Sequence, residues 1–217
     1  MAPTLRRRRL PYDPEAARQH LLAADPVIGE IVRRVGAYRL EVRGQPYQSL
    51  LRAILYQQLA GAAASAIERR FLNLYGGRVP EPEELLATSP EGLRSVGLSR
   101  QKASYLRSLA EHAAAGQLEL RRLSRASDDK VLEIVTAVKG IGRWTADTLL
   151  MFCLGRPDVL PVGDLFIQRM MKEAYRLDSL PDPATMLQIA EPWRPYRSAG
   201  TWYLWRHGEV ITADVTL

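Results

Sequence analysis

At 217 residues the chain has room for one substantial hydrophobic core or two small ones. Its single cysteine, Cys153, excludes an intramolecular disulfide and any cluster held by four thiolates, and His20, His112 and His207 stand too far apart for a zinc-ligand spacing. The net charge of +6 is carried mainly by arginine, since only four of the 30 basic residues are lysines (102, 130, 139 and 172). Guanidinium forks suit phosphates and flat rings, although ordinary solvated helix faces give the same balance.

The opening MAPTLRRRRL carries four consecutive arginines with no apolar core behind them, the pattern of neither a secretory signal nor a membrane span. Residues 1–12 therefore read as a mobile basic arm, and the protein as reduced and intracellular (cytoplasmic, at the nucleoid if bacterial). From there helix follows helix. DPEAARQHLLAA (13–24) and DPVIGEIVRRVG (25–36) each open on an aspartate cap with proline behind it, and the second stops at a glycine. AYRLEVRG (37–44) alternates apolar and charged residues and reads as one short extended piece, too isolated to build a sheet. Further helices are expected over 46–58, 61–76, 81–88, 89–97, 99–116, 127–140, 142–155, 163–177, 181–192 and 195–210. Short capped helices with short connections, and no fixed-period repeat, predict an all-α fold.

Within this series VLEIVTAV ends one helix, KGIG (139–142) turns the chain, and RWTADTLLMF begins the next. Two glycines allow a tight turn and let a ligand approach the backbone, where the second helix presents unpaired N–H groups that attract phosphate. An ordinary αα-hairpin with a glycine stop has the same sequence. Downstream, RPDVLPVGDLFIQRMM (156–171) supplies an extended loop and then an aspartate opening a helix. Asp164 reads as an N-cap, and the same location favours an ionised carboxylate at neutral pH.

The run VKGIGRWTADTLLMFCLGRPDVLPVGDLFIQR resembles the helix-hairpin-helix DNA glycosylases that carry a Gly/Pro-rich loop and an essential aspartate, specifically their alkyladenine branch of DNA-3-methyladenine glycosylase II type. AILYQQLAGAAASAI (53–67), GLSRQKASYLRSLA (97–110) and EPWRPYRSAGTWYLW (191–205) extend the resemblance over residues 45–206. It implies a two-lobed helical enzyme with its cleft between the lobes: one lobe over residues 45–160, including the hairpin at 127–155, and a second from 13–44 plus 161–217. Matched residue by residue, Asp164 is the catalytic aspartate. Lys139, Gly140, Gly142 and Arg143 meet the DNA backbone. Trp144, Trp202 and Tyr56 line the pocket for the flipped base, and Gln58 plugs the gap in the duplex beside Leu59. The resemblance also implies a monomer that binds double-stranded DNA containing alkylated bases and requires no cofactor; in the family a Na⁺ or K⁺ ion is often held between hairpin carbonyls and a phosphate, which would implicate Thr136, Val138 and Ile141 here. The chain departs from the family in having Lys139 where proline is frequent, and a glutamine plug is more polar than leucine.

The chemistry fits a single carboxylate. Glycoside cleavage builds oxocarbenium character on the sugar and ordinarily needs an acid for the leaving group. A base alkylated at N3 or N7 is already cationic and leaves without one, so Asp164 alone suffices to stabilise the sugar and orient water. Aromatic faces would favour such an electron-poor ring by about 0.5–2 kcal/mol. In strand-cutting relatives a lysine stands at the position of Trp144 and forms a Schiff base, so the resemblance implies a monofunctional enzyme. Two other readings stay open at this stage: a glycosylase/lyase using Lys139, and a non-enzymatic DNA-structure binder using the hairpin alone.

Overall fold

The computed structural model describes residues 7–59 and 61–215. Among them are thirteen α-helices: α1 Pro14–Ala24, α2 Pro26–Val35, α3 Pro46–Tyr56, α4 Gly61–Asn73, α5 Pro82–Ala87, α6 Pro90–Ser95, α7 Arg100–Ala114, α8 Leu120–Arg125, α9 Asp128–Thr136, α10 Arg143–Leu149, α11 Leu165–Ala174, α12 Pro183–Ile189 and α13 Arg197–Val215. The starts are set by side-chain caps. Asp13, Asp25, Ser89, Ser99, Ser127, Asp164 and Asp182 each accept a backbone N–H of the first turn that has no intrahelical partner. Proline follows four of these caps, where its missing N–H costs nothing.

Three local features differ from the sequence-based expectation. α8 was not anticipated: it has six residues, no side-chain cap bond at Glu119, and only Leu123 buried, so it carries almost no helical signal. The helix expected over 142–155 is α10 followed by a π turn, Leu150–Leu154, which Gly155 ends at φ +72°. The extended piece at 37–44 does pair, as Val42–Arg43 (β2) forms a two-residue ladder with Arg7–Arg8 (β1). The basic arm expected over 1–12 lies outside the described residues as far as position 6, whereas parts of its remainder make fixed contacts. Arg8 donates to the Cys153 carbonyl, Tyr12 and Tyr38 hydroxyls lie 2.8 Å apart, and Pro11 sits so close to Gly155 that a side chain there would collide with it.

The chain divides into two compact units, one formed mainly by Arg43–Leu149 and the other by Arg8–Val42 together with Leu150 onward. The division falls at Leu149, ahead of the expected position near 160. In the first unit α3 packs on α4, α7 and α10, and α9 on α10. Leu50, Ile54, Leu106, Leu109, Val131 and Ala146 form its buried interior. In the second, α13 packs on α2 and α11, and α1 on α2. Trp193 and Tyr203 are fully buried there, and Asp25, besides capping α2, accepts from the Tyr175 hydroxyl and from Trp193 Nε1 at 3.4 Å. Among the described residues no helix is long and apolar enough to cross a membrane.

Candidate active site

On the first unit the hairpin is held from beneath by α7. Lys139 donates its backbone N–H to Ser108 Oγ (3.1 Å) and its amine to Ser104 Oγ (3.0 Å). Gly140 has φ +85° and lies against the Tyr105 ring, leaving no space for a Cβ. Ile141 N–H closes the turn on the Val138 carbonyl at 3.0 Å, and the Gly142 carbonyl accepts the first helical bond of α10 from Ala146. Among the described residues the N–H groups of Gly140 and Gly142 meet no protein acceptor, so this turn offers two backbone donors to an external anion.

The two glycines are therefore glycine for different reasons. Gly140 needs its positive φ and its bare α-carbon for folding, whereas among the described residues nothing lies within 4 Å of a Cβ on Gly142. Gly140→Ala is expected to destabilise the protein by about 2 kcal/mol or more. Gly142→Val should cost about 1 kcal/mol or less at the N-cap yet weaken affinity for undamaged duplex about tenfold or more through loss of phosphate contact. Urea unfolding and fluorescence anisotropy separate the two effects. An unchanged affinity in folded Gly142→Val would remove the hairpin from the DNA interface.

Arg143 opens α10 with its side chain largely exposed, and its Nε is held at 2.9 Å by Asp147, whose carboxylate is almost wholly buried. Burial pushes the Asp147 carboxyl above its usual range, and the neighbouring guanidinium opposes that rise. Trp144, next in the chain, is half exposed and is not a core residue. The carbonyls of Thr136 and Ile141 accept no hydrogen bond among the described residues, while that of Val138 already serves the turn. Such a donor set suits a hard monovalent cation and not a transition metal. Among the described residues no group of histidine, cysteine or acidic side chains is placed to hold a metal.

The end of α3 meets the same hairpin. Gln58 and Leu59 are exposed, and Gln58 adopts φ +56°, uncommon for a residue with a side chain. Tyr56 braces α3 against α4: its hydroxyl donates to Glu68 (2.6 Å) and accepts from Arg52 (3.0 Å).

On the second unit Asp164 is buried and caps α11, with Oδ1 accepting from the N–H groups of Phe166 (2.9 Å) and Ile167 (3.1 Å). The loop leading to it is fixed by residues that sequence reasoning missed. Arg197 grips Asp158 with Nε and Nη2, at 2.6 and 2.9 Å. Ser198 Oγ donates to the Arg156 carbonyl and accepts from Val159 N–H. The sequence offered no signal for this pairing beyond the presence of both residue types.

Trp202 is placed away from α11. It packs edge-on against Tyr38 and Tyr203 and lines a cavity of about 510 Å³ with Val35, Ala37, Arg39 and Arg206. The face of α13 that meets α11 is marked by Gly208, where any Cβ would strike Phe166 and Met170. At 100° per residue, Trp202 points about 120° from that face and Trp205 only about 60°. Trp205 stacks on Phe152 with ring centroids 5.5 Å apart.

A helix-hairpin-helix followed by a buried, helix-capping aspartate is the arrangement of a known family, and the model of the HhH-GPD superfamily of base excision DNA repair proteins matches residues 51–195. The chain belongs to the HhH-GPD superfamily. Among HhH-GPD relatives it is 37% identical to DNA-3-methyladenine glycosylase 1 of Schizosaccharomyces pombe, over 91% of this chain and 88% of that protein. The solved S. pombe 3-methyladenine DNA glycosylase in complex with abasic DNA superposes with a TM-score of 0.77 at 36% identity, covering 88% of this chain and 95% of that one. A DNA-3-methyladenine glycosidase structure from Bacillus halodurans gives 0.80 at 38% identity, covering 91% and 90%.

Proposed function

We propose that this protein is a monofunctional DNA glycosylase that removes alkylated bases such as 3-methyladenine and 7-methylguanine from duplex DNA in base excision repair, leaving an abasic site. The observation that carries this reading is the buried carboxylate of Asp164, held at the start of α11 by two backbone N–H groups. It supplies a fixed negative charge where a sugar cation would develop. The bond from C1′ to the base nitrogen breaks, its electron pair neutralises the alkylated ring, and the base leaves without protonation. Water oriented by Asp164 then adds its oxygen to C1′ and passes a proton to that carboxylate, from which it returns to solvent.

The donors of Gly140 and Gly142 grip a phosphate, and a monovalent cation at the carbonyls of Thr136, Val138 and Ile141 would add charge to that grip. Gln58, exposed beside Leu59 at the end of α3, fills the place of the extruded nucleotide. Trp144, half exposed, stacks on the extruded base. On α13, the side nearer α11 favours Trp205 over Trp202 as the aromatic near Asp164. The amine of Lys139 is directed to Ser104 of the protein's own α7, which favours the monofunctional reading over one that uses it as a nucleophile.

Methylated duplex DNA provides the test. Free 3-methyladenine and 7-methylguanine should be released with the strand left intact until alkali is added, and borohydride should trap no protein–DNA adduct. A trapped adduct would establish the lyase reading through Lys139. Tight DNA binding with no base release would leave a DNA-structure binder.

A further inference from the structure

The segment carrying Gln58 is tied to the hairpin by a bond between residues 83 positions apart: Gln57 Nε2 donates to the Gly140 carbonyl at 2.8 Å. That carbonyl is available because the positive φ of Gly140 turns the peptide out of the usual helical course. Two further ties join both segments to α7. Lys102 donates its amine to the Leu55 carbonyl in the last turn of α3, at 2.7 Å, while Ser104, Tyr105 and Ser108 of the same helix support Lys139 and Gly140. The end of α3, the start of α7 and the hairpin thus form a closed triangle, and Gln57 is its third side. Gln58, one residue beyond that bond, has its backbone in the left-handed region, a conformation that persists only where the surroundings enforce it.

We infer that Gln57 is a positioning residue for base extrusion: by donating to Gly140 it locks the plug at Gln58 to the phosphate-gripping hairpin, so that gripping the strand and filling the gap occur as one rigid act. Gln57 itself is partly buried and spends its donor on the protein. The inference rests on the proposed roles of Gln58 and the hairpin. Without the bond, the hairpin would still bind DNA, but the plug would pay the cost of ordering at each insertion.

The test uses Gln57→Glu, which keeps the shape but presents oxygen to the Gly140 carbonyl, and Gln57→Met, which keeps the length without a donor. Either one suffices if the other fails to fold. Single-turnover excision is measured on 7-methylguanine opposite cytosine and opposite thymine, together with affinity for undamaged duplex. Loss of one hydrogen bond at a partly buried carbonyl should slow excision from the well-paired substrate about tenfold, with a markedly smaller loss on the mismatch, where extrusion is easier. Duplex affinity should change less than about twofold. In a Gln58→Ala background the Gln57 substitution should have no further effect, because the two residues act as a unit.

Equal losses on both substrates accompanied by weakened duplex binding would mean that Gln57 merely supports the fold, and would overturn the inference. Additive effects of the two substitutions would do the same. If Gln58→Ala itself treats paired and mismatched lesions alike, the plug assignment fails first and the inference falls with it. A Gln58→Ala variant that discriminates beside a Gln57 variant that does not would defeat the inference alone.

Discussion

Asp164→Asn is expected to slow single-turnover excision of 7-methylguanine by about 100-fold or more while leaving affinity for a duplex with an abasic-site analogue within a few-fold of the parent. The reasoning depends on the cap. Asparagine is nearly isosteric, and its carbonyl oxygen can still accept from Phe166 and Ile167, so α11 begins where it did. What disappears is the negative charge, which matters only when the sugar becomes cationic and therefore acts on the transition state and little on the ground state. Asp164→Ala adds loss of the cap, at about 1 kcal/mol of stability, and should be no slower than the asparagine variant if charge is the main contribution. Excision by Asp164→Asn at the parental rate would reduce Asp164 to a helix cap.

The largest stability effect is expected at the pair that holds the loop before Asp164. Asp158→Ala strands the buried guanidinium of Arg197, whose side chain is 10% exposed, and removes two charge-assisted hydrogen bonds. Such an uncompensated charge costs about 3–5 kcal/mol, and the 24% exposure of Asp158 places the loss near the lower end. Arg197→Met should cost less, because Asp158 keeps Arg194 at 3.8 Å and is the more exposed partner. The double variant Asp158→Leu/Arg197→Met should recover part of the loss, since replacing both ions with apolar groups avoids the stranded charge. Urea unfolding at pH 7 measures all three. A loss below about 1 kcal/mol in Asp158→Ala would show the pair to be energetically no more than a surface bridge.

Local chemistry was legible in the sequence. Asp13 and Asp25 with their prolines, Ser99, Ser127 and Asp182 marked helix starts because a cap is formed by residues two or three positions apart, and KGIG marked a turn because its glycines act on their own φ angles. Long-range pairing was not legible. Nothing near Gln57 indicates Gly140, and nothing near Arg197 singles out Asp158 from the other acidic residues. The tryptophans of α13 show the same limit at short range: Trp202 and Trp205 are three residues apart, and only the contact of Gly208 with α11 tells which face each occupies. The β1–β2 ladder was not legible because a two-residue strand is specified by its partner and not by its own pattern.

The division of labour between Gly140 and Gly142 has a consequence for how inactivating changes would behave in a living cell. A lesion at Gly140 strikes the fold, so its product should be cleared by proteases and fall in abundance along with activity. A lesion at Gly142 should leave a folded protein that largely escapes this surveillance and accumulates near parental levels while gripping DNA about tenfold or more weakly. Such a protein would not compete for damaged sites, so a second, intact copy of the gene should mask it fully. An Asp164 variant, which still binds, would instead occupy lesions that it cannot process and so interfere with its intact counterpart. Three single-residue changes in one enzyme should thus yield three genetic behaviours: an absent protein, a silent one and an obstructive one.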